Sequence, residues 1–227
     1  MKNFVRISEL GGINIHLIDM SLRQYNELLG SKEPAPGGGS TAALTGVLAA
    51  SLTMMVVSLS IGKKSFETLD ENVKSNFMEE YNNIKNLRED LYALTEEDTK
   101  AFNRFMEAMK LPKDTEEEKI IRNTKMQEAS LYALNIPLIT GEKCYSILKN
   151  QKNIAIYGNK NAVSDIGVGC LLALAGLEGA ILNVNINLPT IVDITIKNDA
   201  IDKSRKMLEE ARILHKEIMS IVNKRIG

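Results

Sequence analysis

The chain has no tryptophan, and aromatic residues make up only 5% of its 227 positions. That poverty disfavours a base-stacking platform for nucleic acid and the aromatic-centred core of a β-sandwich. Cysteine is nearly as scarce. Cys144 and Cys170 offer neither a metal-ligand spacing nor a disulfide framework, so a reduced, cytoplasmic setting is expected. Two histidines, His16 and His215, are too few and too scattered for a His-based metal site, and no metal is expected. An excess of one charge is missing too: 28 Lys and Arg against 29 Asp and Glu leave a net charge of -1. Such a balance gives no footprint for nucleic acid or for an anionic membrane surface. At the start, MKNFVRISELGG puts Arg6 and Glu9 where a signal peptide needs an apolar run, so secretion by that route is not expected.

What the chain does have is long helical patterning. Residues 21–29 read as a short helix stopped by Gly30 and by Pro34 and Pro36. Residues 40–61 form an uncharged run of Ala, Leu, Val, Met, Ser and Thr, long enough to cross a bilayer. Its Ser and Thr content and its heavily charged neighbours favour instead a central bundle helix, buried all round. Residues 72–110 are a long amphipathic helix ended by Leu111-Pro112. A further helix follows Thr115, with Glu116, Glu117 and Glu118 in its first turn, and reaches Lys149 with a break or kink near Pro137. Residues 161–182 form a second apolar helix carrying Gly167, Gly169, Gly176 and Gly179; with 40–61 it is a candidate dimer interface. A last helix covers 199–224. Two short runs, 153–157 and 191–196, look like strands, and residues 1–16 form an extension with no assigned element.

The stretch PAPGGGSTAAL, residues 34–44, joins the first two helices. It is no P-loop, since no lysine precedes Ser40 or Thr41, and no slack linker, since a helix begins at once with Ser40 or Thr41 as N-cap. It is either a plain loop and cap or, at Pro36, Gly37, Gly38, Gly39 and Ser40, an anion or carbonyl site at a helix N-terminus. Gly167 and Gly169 after Tyr157-Gly158 imitate a dinucleotide fingerprint, but Leu172 stands at the third glycine and no βαβ series accompanies it. Asp98 interrupts the stripe Leu87, Leu91, Leu94, Phe102, Phe105 and Met109. It is either an edge residue reaching solvent or pairing with a lysine, or a desolvated carboxylate with a raised pKa. Asn159, Asn161, Ser164 and Asp165 open the 161–182 helix, with Asn161 as N-cap and Asp165 near the positive dipole end. Asp165 also shares a face with Gly169, Leu172, Gly176 and Gly179, where burial would require partners. Lys63 and Lys64 either complement the end of the 40–61 helix or bind an anionic tail. The run NVNINLP, 183–189, alternates amide and apolar residues. It reads as a helix exit or as three amides on one face, Asn185 in the middle, suited to a polar heterocycle.

Four ordered motifs, PAPGGGSTAAL, IGKKSFE, EDTKAFNRFMEAMKLP and GNKNAVSDIGVGCLLALAGLEGAILNVNINL, together resemble the formiminotetrahydrofolate cyclodeaminase / methenyltetrahydrofolate cyclohydrolase family. The likeness runs from about Leu17 to the C-terminus and implies one helical domain over 17–227. It implies an all-α helical bundle with long buried central helices, a homodimer, and a tetrahydrofolate derivative bound as substrate without a metal. It also turns the two strand-like runs into segments around helices. The family's folate cleft corresponds to Pro36–Ser40, to Asp98 with Phe102, and to Asn159, Asn161, Ser164 and Asp165, while Lys63 and Lys64 match its basic turn. Gly169-Cys170 departs from a pair that is often alanine in relatives, which touches packing more than chemistry.

The implied reaction is hydrolysis of 5,10-methenyltetrahydrofolate to 10-formyltetrahydrofolate. Water adds to an amidinium-like carbon and a ring C–N bond then breaks, work for two carboxylates, here Asp98 and Asp165 in either order. Lys63 and Lys64 would hold glutamate carboxylates of the folate tail. The alternative is formiminotetrahydrofolate cyclodeaminase chemistry, in which N10 attacks the formimino carbon and ammonia leaves. A free-standing chain without a formiminotransferase domain favours the hydrolytic reading. A folate-binding helical dimer without catalysis is the alternative from another class.

Overall fold

A computed structural model describes residues 16–227, and the proposed 1–16 extension lies outside these residues but for His16. Among the described residues every regular element is helical. Helix α1 (Leu22–Leu29) begins with a capping box in which Ser21 and Gln24 satisfy each other's backbone amides. The long helices follow: α2 (Gly38–Ser58), the single turn α3 (Lys64–Glu67), α4 (Glu71–Met109) and α5 (Glu116–Lys149). Then come α6 (Lys152–Tyr157), α7 (Val163–Asn187) and α8 (Ile194–Ile226).

α2 lies at the centre, packed on α7 and α4, with α5 closing against α4 and α7 and α8 lying outside α7. Both neighbours run antiparallel to α2. On α7, Gly176 lies against Ala42 and Gly46, and Gly169 against Ala49 and Thr53; on α4, Asp98 lies at Gly39 and Leu91 at Gly46. Small residues permit these approaches, and one core of Ala, Val, Leu, Ile and Phe side chains runs through the bundle.

Several expectations are corrected. The two strand-like runs are not strands, as the resemblance implied: 153–157 lies in helix α6, and of 191–196 only 191–193 falls outside a helix. Asp193 accepts from the amides of Thr195 and Ile196 and so starts α8 five residues before the expected Asp199. α2 begins at Gly38 with Gly37 as its N-cap, so neither Ser40 nor Thr41 caps it. Nor is α2 buried all round, for Leu48, Met55 and Leu59 are exposed. α7 continues to Asn187, past the expected end at Leu182. α5 stays helical through Pro137, which cannot donate to the carbonyl of Ala133; the Asn187 amide nitrogen donates to that oxygen instead, at 2.9 Å. The α2 stretch and residues 160–190 are each long and apolar enough to cross a membrane; 61% and 44% of their most apolar windows are buried in the bundle.

At the far end of α4, Asn153 of α6 donates to Glu80 at 2.7 Å while the other carboxylate oxygen of Glu80 is buried without a partner among the described residues. Burial pushes this carboxyl up to about 7 from its ordinary 4.5. A carboxyl raised on folding adds stability below its unfolded value and loses it as pH rises through the folded one. Glu80→Gln keeps the acceptor for Asn153 and removes the charge. Discounted for partial solvent screening, it is expected to stabilise the protein by about 1–2 kcal/mol above neutral pH, the difference vanishing in acid; urea unfolding at the two pH values checks this.

Candidate functional site

The glycine turn and Asp98 meet at the first turn of α2. Gly39 faces Asp98 so closely that a methyl group there would collide with the carboxylate. The Ser40 amide donates to Asp98 Oδ2 at 2.9 Å, taking one of the unpaired N–H groups at the helix start. The Ser40 hydroxyl donates to Thr95 O at 2.8 Å and lies 3.2 Å from Asp98 Oδ2. Despite these donors, burial holds the Asp98 carboxyl above the ordinary Asp range. Asp98 is thus half-buried and hydrogen-bonded to Ser40 rather than an edge residue open to solvent. Phe102 lies one turn along α4 and is half-buried. Beyond Leu94 the buried stripe of α4 passes through Ala101 and Ala108 rather than through the phenylalanines.

On the other side of the turn a cavity of about 450 Å³ opens, within the ordinary range for small-molecule sites. Pro36, Gly37 and Gly38 form one wall, Thr41 and Thr45 a second, and Gly179 of α7 a third. Asp98 itself lies behind the turn, on the α4 side. Two residues that sequence reasoning passed over belong here. Tyr25 of α1 is buried, its hydroxyl has no hydrogen bond of ordinary geometry among the described residues, and burial, with the charges of Asp98 and Glu96, raises its pKa against the lowering effect of the nearby Thr41 side chain. Asn183 of α7 lies against Gly38, where an added Cβ would meet its amide nitrogen at 3.3 Å. Asn185 does not join it. A helix turns residues two apart to opposite sides, so Asn183 and Asn187 face inward and Asn185 is exposed.

The other expected residues gather at the opposite end of α2. The Asn159 amide donates to Ser60 Oγ at 2.7 Å, and its side chain donates to Leu59 O at 3.0 Å. The Asn159 side chain also accepts from the Asn161 amide, so Asn159 caps the turn before α7 and Asn161 is not its N-cap. Arg225 of α8 steadies the segment by donating to Ala155 O and Gly158 O at 2.5 and 2.6 Å. Lys63, Lys64, Asn161 and Ser164 are exposed, and Lys63 caps α3 and Lys64 begins it rather than either ending α2. Asp165 lies in the first turn of α7, half-buried, on the Gly169–Gly176 stripe that faces α2.

Two groups result, one at each end of a 21-residue helix about 30 Å long. The structure joins Pro36–Ser40 with Asp98, and it joins Asn159, Asn161, Ser164 and Asp165 with Lys63 and Lys64. It does not join one group to the other. From Gly169 opposite Ala49 and Thr53, Asp165 falls roughly 20 Å along α2 from Asp98, so a single protomer does not pair the two carboxylates. Among the described residues, no group of three or more His, Cys, Asp or Glu side chains is arranged to hold a metal ion.

Comparison with known proteins agrees with the motifs. Residues 21–206 match the family model described as formiminotransferase-cyclodeaminase. Methenyltetrahydrofolate cyclohydrolase of Methylorubrum extorquens is 35% identical over 207 residues, 91% of this chain and 98% of that protein. Formimidoyltransferase-cyclodeaminase of Gallus gallus is 34% identical over 209 residues, 92% of this chain but only 38% of that longer protein. In fold, the crystal structure of formiminotetrahydrofolate cyclodeaminase from Thermotoga maritima matches with a TM-score of 0.81 at 22% identity, covering 93% of this chain and all of that one. The chain belongs to the formiminotransferase-cyclodeaminase family, folate-processing enzymes of one-carbon metabolism whose helical fold it shares.

Proposed function

We propose that this protein hydrolyses 5,10-methenyltetrahydrofolate to 10-formyltetrahydrofolate, as a metal-free homodimer in the cytoplasm. The observation that carries the reading is Asp98, a desolvated carboxylate fixed by Ser40 at a glycine turn beside a cavity. The substrate carries a positive charge delocalised over N5, the bridging carbon and N10. A carboxylate of raised pKa stabilises that charge and takes a proton from water as its oxygen bonds to the carbon. The same proton, delivered to N5, lets the C–N5 bond break while the carbinolamine hydroxyl releases its proton to solvent and becomes the C=O of the formyl group left on N10. Glycines at 37 and 38 let a flat ring approach the backbone, and Asn183 offers an amide to its polar edge. The match along 98% of the Methylorubrum cyclohydrolase favours hydrolysis as the reaction.

Cyclodeaminase chemistry is the second reading, favoured by the almost equal identity to the chicken enzyme, 34%. There the acid–base group assists N10 in attacking the formimino carbon and protonates the departing ammonia. The purified protein is offered each substrate in turn. Hydrolysis is expected to bleach the methenyl chromophore; ammonia release from 5-formiminotetrahydrofolate at a higher kcat/KM would reverse the assignment, and turnover of neither would leave a binding protein.

A further inference from the structure

Three side chains supply the polar part of the cavity lining, and all three are acceptors. Thr41 donates its hydroxyl proton to Gly37 O and Thr45 donates its own to Thr41 O, both at 2.8 Å. Each hydroxyl therefore has only oxygen lone pairs left to offer a ligand. The third side chain, Glu33, is the only charged one in the lining, and it makes no ion pair among the described residues. Its backbone is held in place. The Glu33 amide donates to Ser31 Oγ at 3.0 Å, and Pro34 after it disfavours a helical conformation. Leu29, Pro34, Pro36, Ala42 and Ala175 make up the apolar remainder. Such a lining has a sign. It repels a carboxylate, which can only accept, and it suits the end of a ligand that is rich in N–H groups. Of the parts of a tetrahydrofolate, the glutamate tail is of the first kind and the pterin ring is of the second. The 2-amino group of the ring and the neighbouring N3–H point the same way, like two donors on the edge of a guanidinium.

We propose that the cavity takes the pterin end of the substrate, with the Glu33 carboxylate accepting from the 2-amino group and from N3–H, so that the glutamate tail points out of the cavity. This rests on the folate reading above and adds to it a direction of binding and a residue that sets specificity. Two parallel N–H···O bonds to one carboxylate fix the plane of the ring as well as the end that enters. That plane lies along the glycine turn, where the missing side chains at 37 and 38 leave room for it. Thr41 and Thr45 add acceptors on the second wall. A flat heterocycle without the amino group leaves a carboxylate oxygen of Glu33 without its donor, and this penalty is what selects a pterin.

Glu33→Gln tests the contact. Glu33 is exposed and its carboxylate holds no other element, so the variant is expected to melt with wild type. Its KM for 5,10-methenyltetrahydrofolate is expected to rise roughly 10–100-fold, the worth of hydrogen bonds to a charged group, with kcat within about threefold of wild type. Calorimetry with tetrahydrofolate, which has the same ring edge but no cationic carbon, is expected to show the same loss of affinity. If only the methenyl compound is weakened, Glu33 answers to the reacting cation and the proposal is overturned. It is overturned equally if neither is weakened. A methenyl substrate with a methyl group in place of the 2-amino group gives the second arm. Wild type is expected to bind it at least about tenfold more weakly than the natural ring, and Glu33→Gln to tell the two apart by no more than about twofold. The same penalty in both proteins overturns the contact while leaving the folate reading standing. Wild type that neither binds nor turns over either tetrahydrofolate overturns that reading, and the contact with it.

Discussion

Asp98→Asn is expected to lower kcat by roughly 10²–10⁴-fold, the usual worth of a positioned acid–base group, while leaving the fold intact. The asparagine side-chain oxygen can still accept from the Ser40 amide, and the Ser40 hydroxyl keeps Thr95 O as its acceptor. Nothing structural is therefore lost except the charge. The sign of the stability effect separates the catalytic from the structural role. Burial holds the Asp98 carboxyl above its ordinary 3.8, outweighing the donors from Ser40. A raised carboxyl adds stability below its unfolded pKa and loses it as pH rises through the folded one. At neutral pH the ionised group is thus a burden, and the asparagine variant is expected to unfold at a Tm no lower than wild type. The rate should follow the opposite course. As a base the ionised form is the active one, so wild-type kcat falls as pH drops through the raised pKa, above the ordinary Asp range. The residual rate of the variant should show no such limb. A variant that loses Tm together with activity at neutral pH would mark Asp98 as a structural residue.

Asp98 was legible in the sequence because a carboxylate broke an apolar stripe of helical period. Its partner was not. That Ser40 meets Asp98 follows from the antiparallel register of α2 on α4, which depends on Gly46 admitting Leu91 and on the length of both helices. The same register explains why Asp98 and Asp165 belong to different ends, for sequence order carries no information about which end of a 30 Å rod a loop returns to. Asn185 in place of Asn183 is a mistake of period. An alternation of two was read where the backbone had a period near 3.6, because α7 does not stop at Leu182. Tyr25 left no signal, since an aromatic on the apolar side of a short amphipathic helix looks like core. Its place near the glycine turn appears only when α1 folds it close enough to feel the charge of Asp98. The 191–196 run was misread because Ile, Val and Thr favour strands; the Asp193 cap and the packing of α8 on α7 and α5 outweigh that preference.

Gly176→Val is expected to be severely damaging, costing more than about 4 kcal/mol and removing most activity. At this point α2 and α7 touch through backbone. A Cβ on Gly176 would stand 2.9 Å from Cys144 Sγ, 3.0 Å from Ala42 O and 3.3 Å from Gly46 N. The thiol has little room to retreat, because Gly46 already brings it within 2.8 Å of where its own Cβ would lie. The other two atoms are main chain of the central helix. Relief therefore requires α7 to lift away from α2, emptying the core behind it, and overpacking turns into a cavity elsewhere. Gly179→Ala, one turn on, supplies the contrast. Its added Cβ would meet only Ala42 Cβ, at 3.3 Å, and the gain in helix propensity offsets that contact, so stability should change by less than about 1 kcal/mol. Urea unfolding of the two variants checks both magnitudes. The activity loss in Gly176→Val has the same origin, since the α2–α7 spacing that Gly176 sets is also the spacing that holds Gly38 against Asn183 and shapes the wall of the cavity.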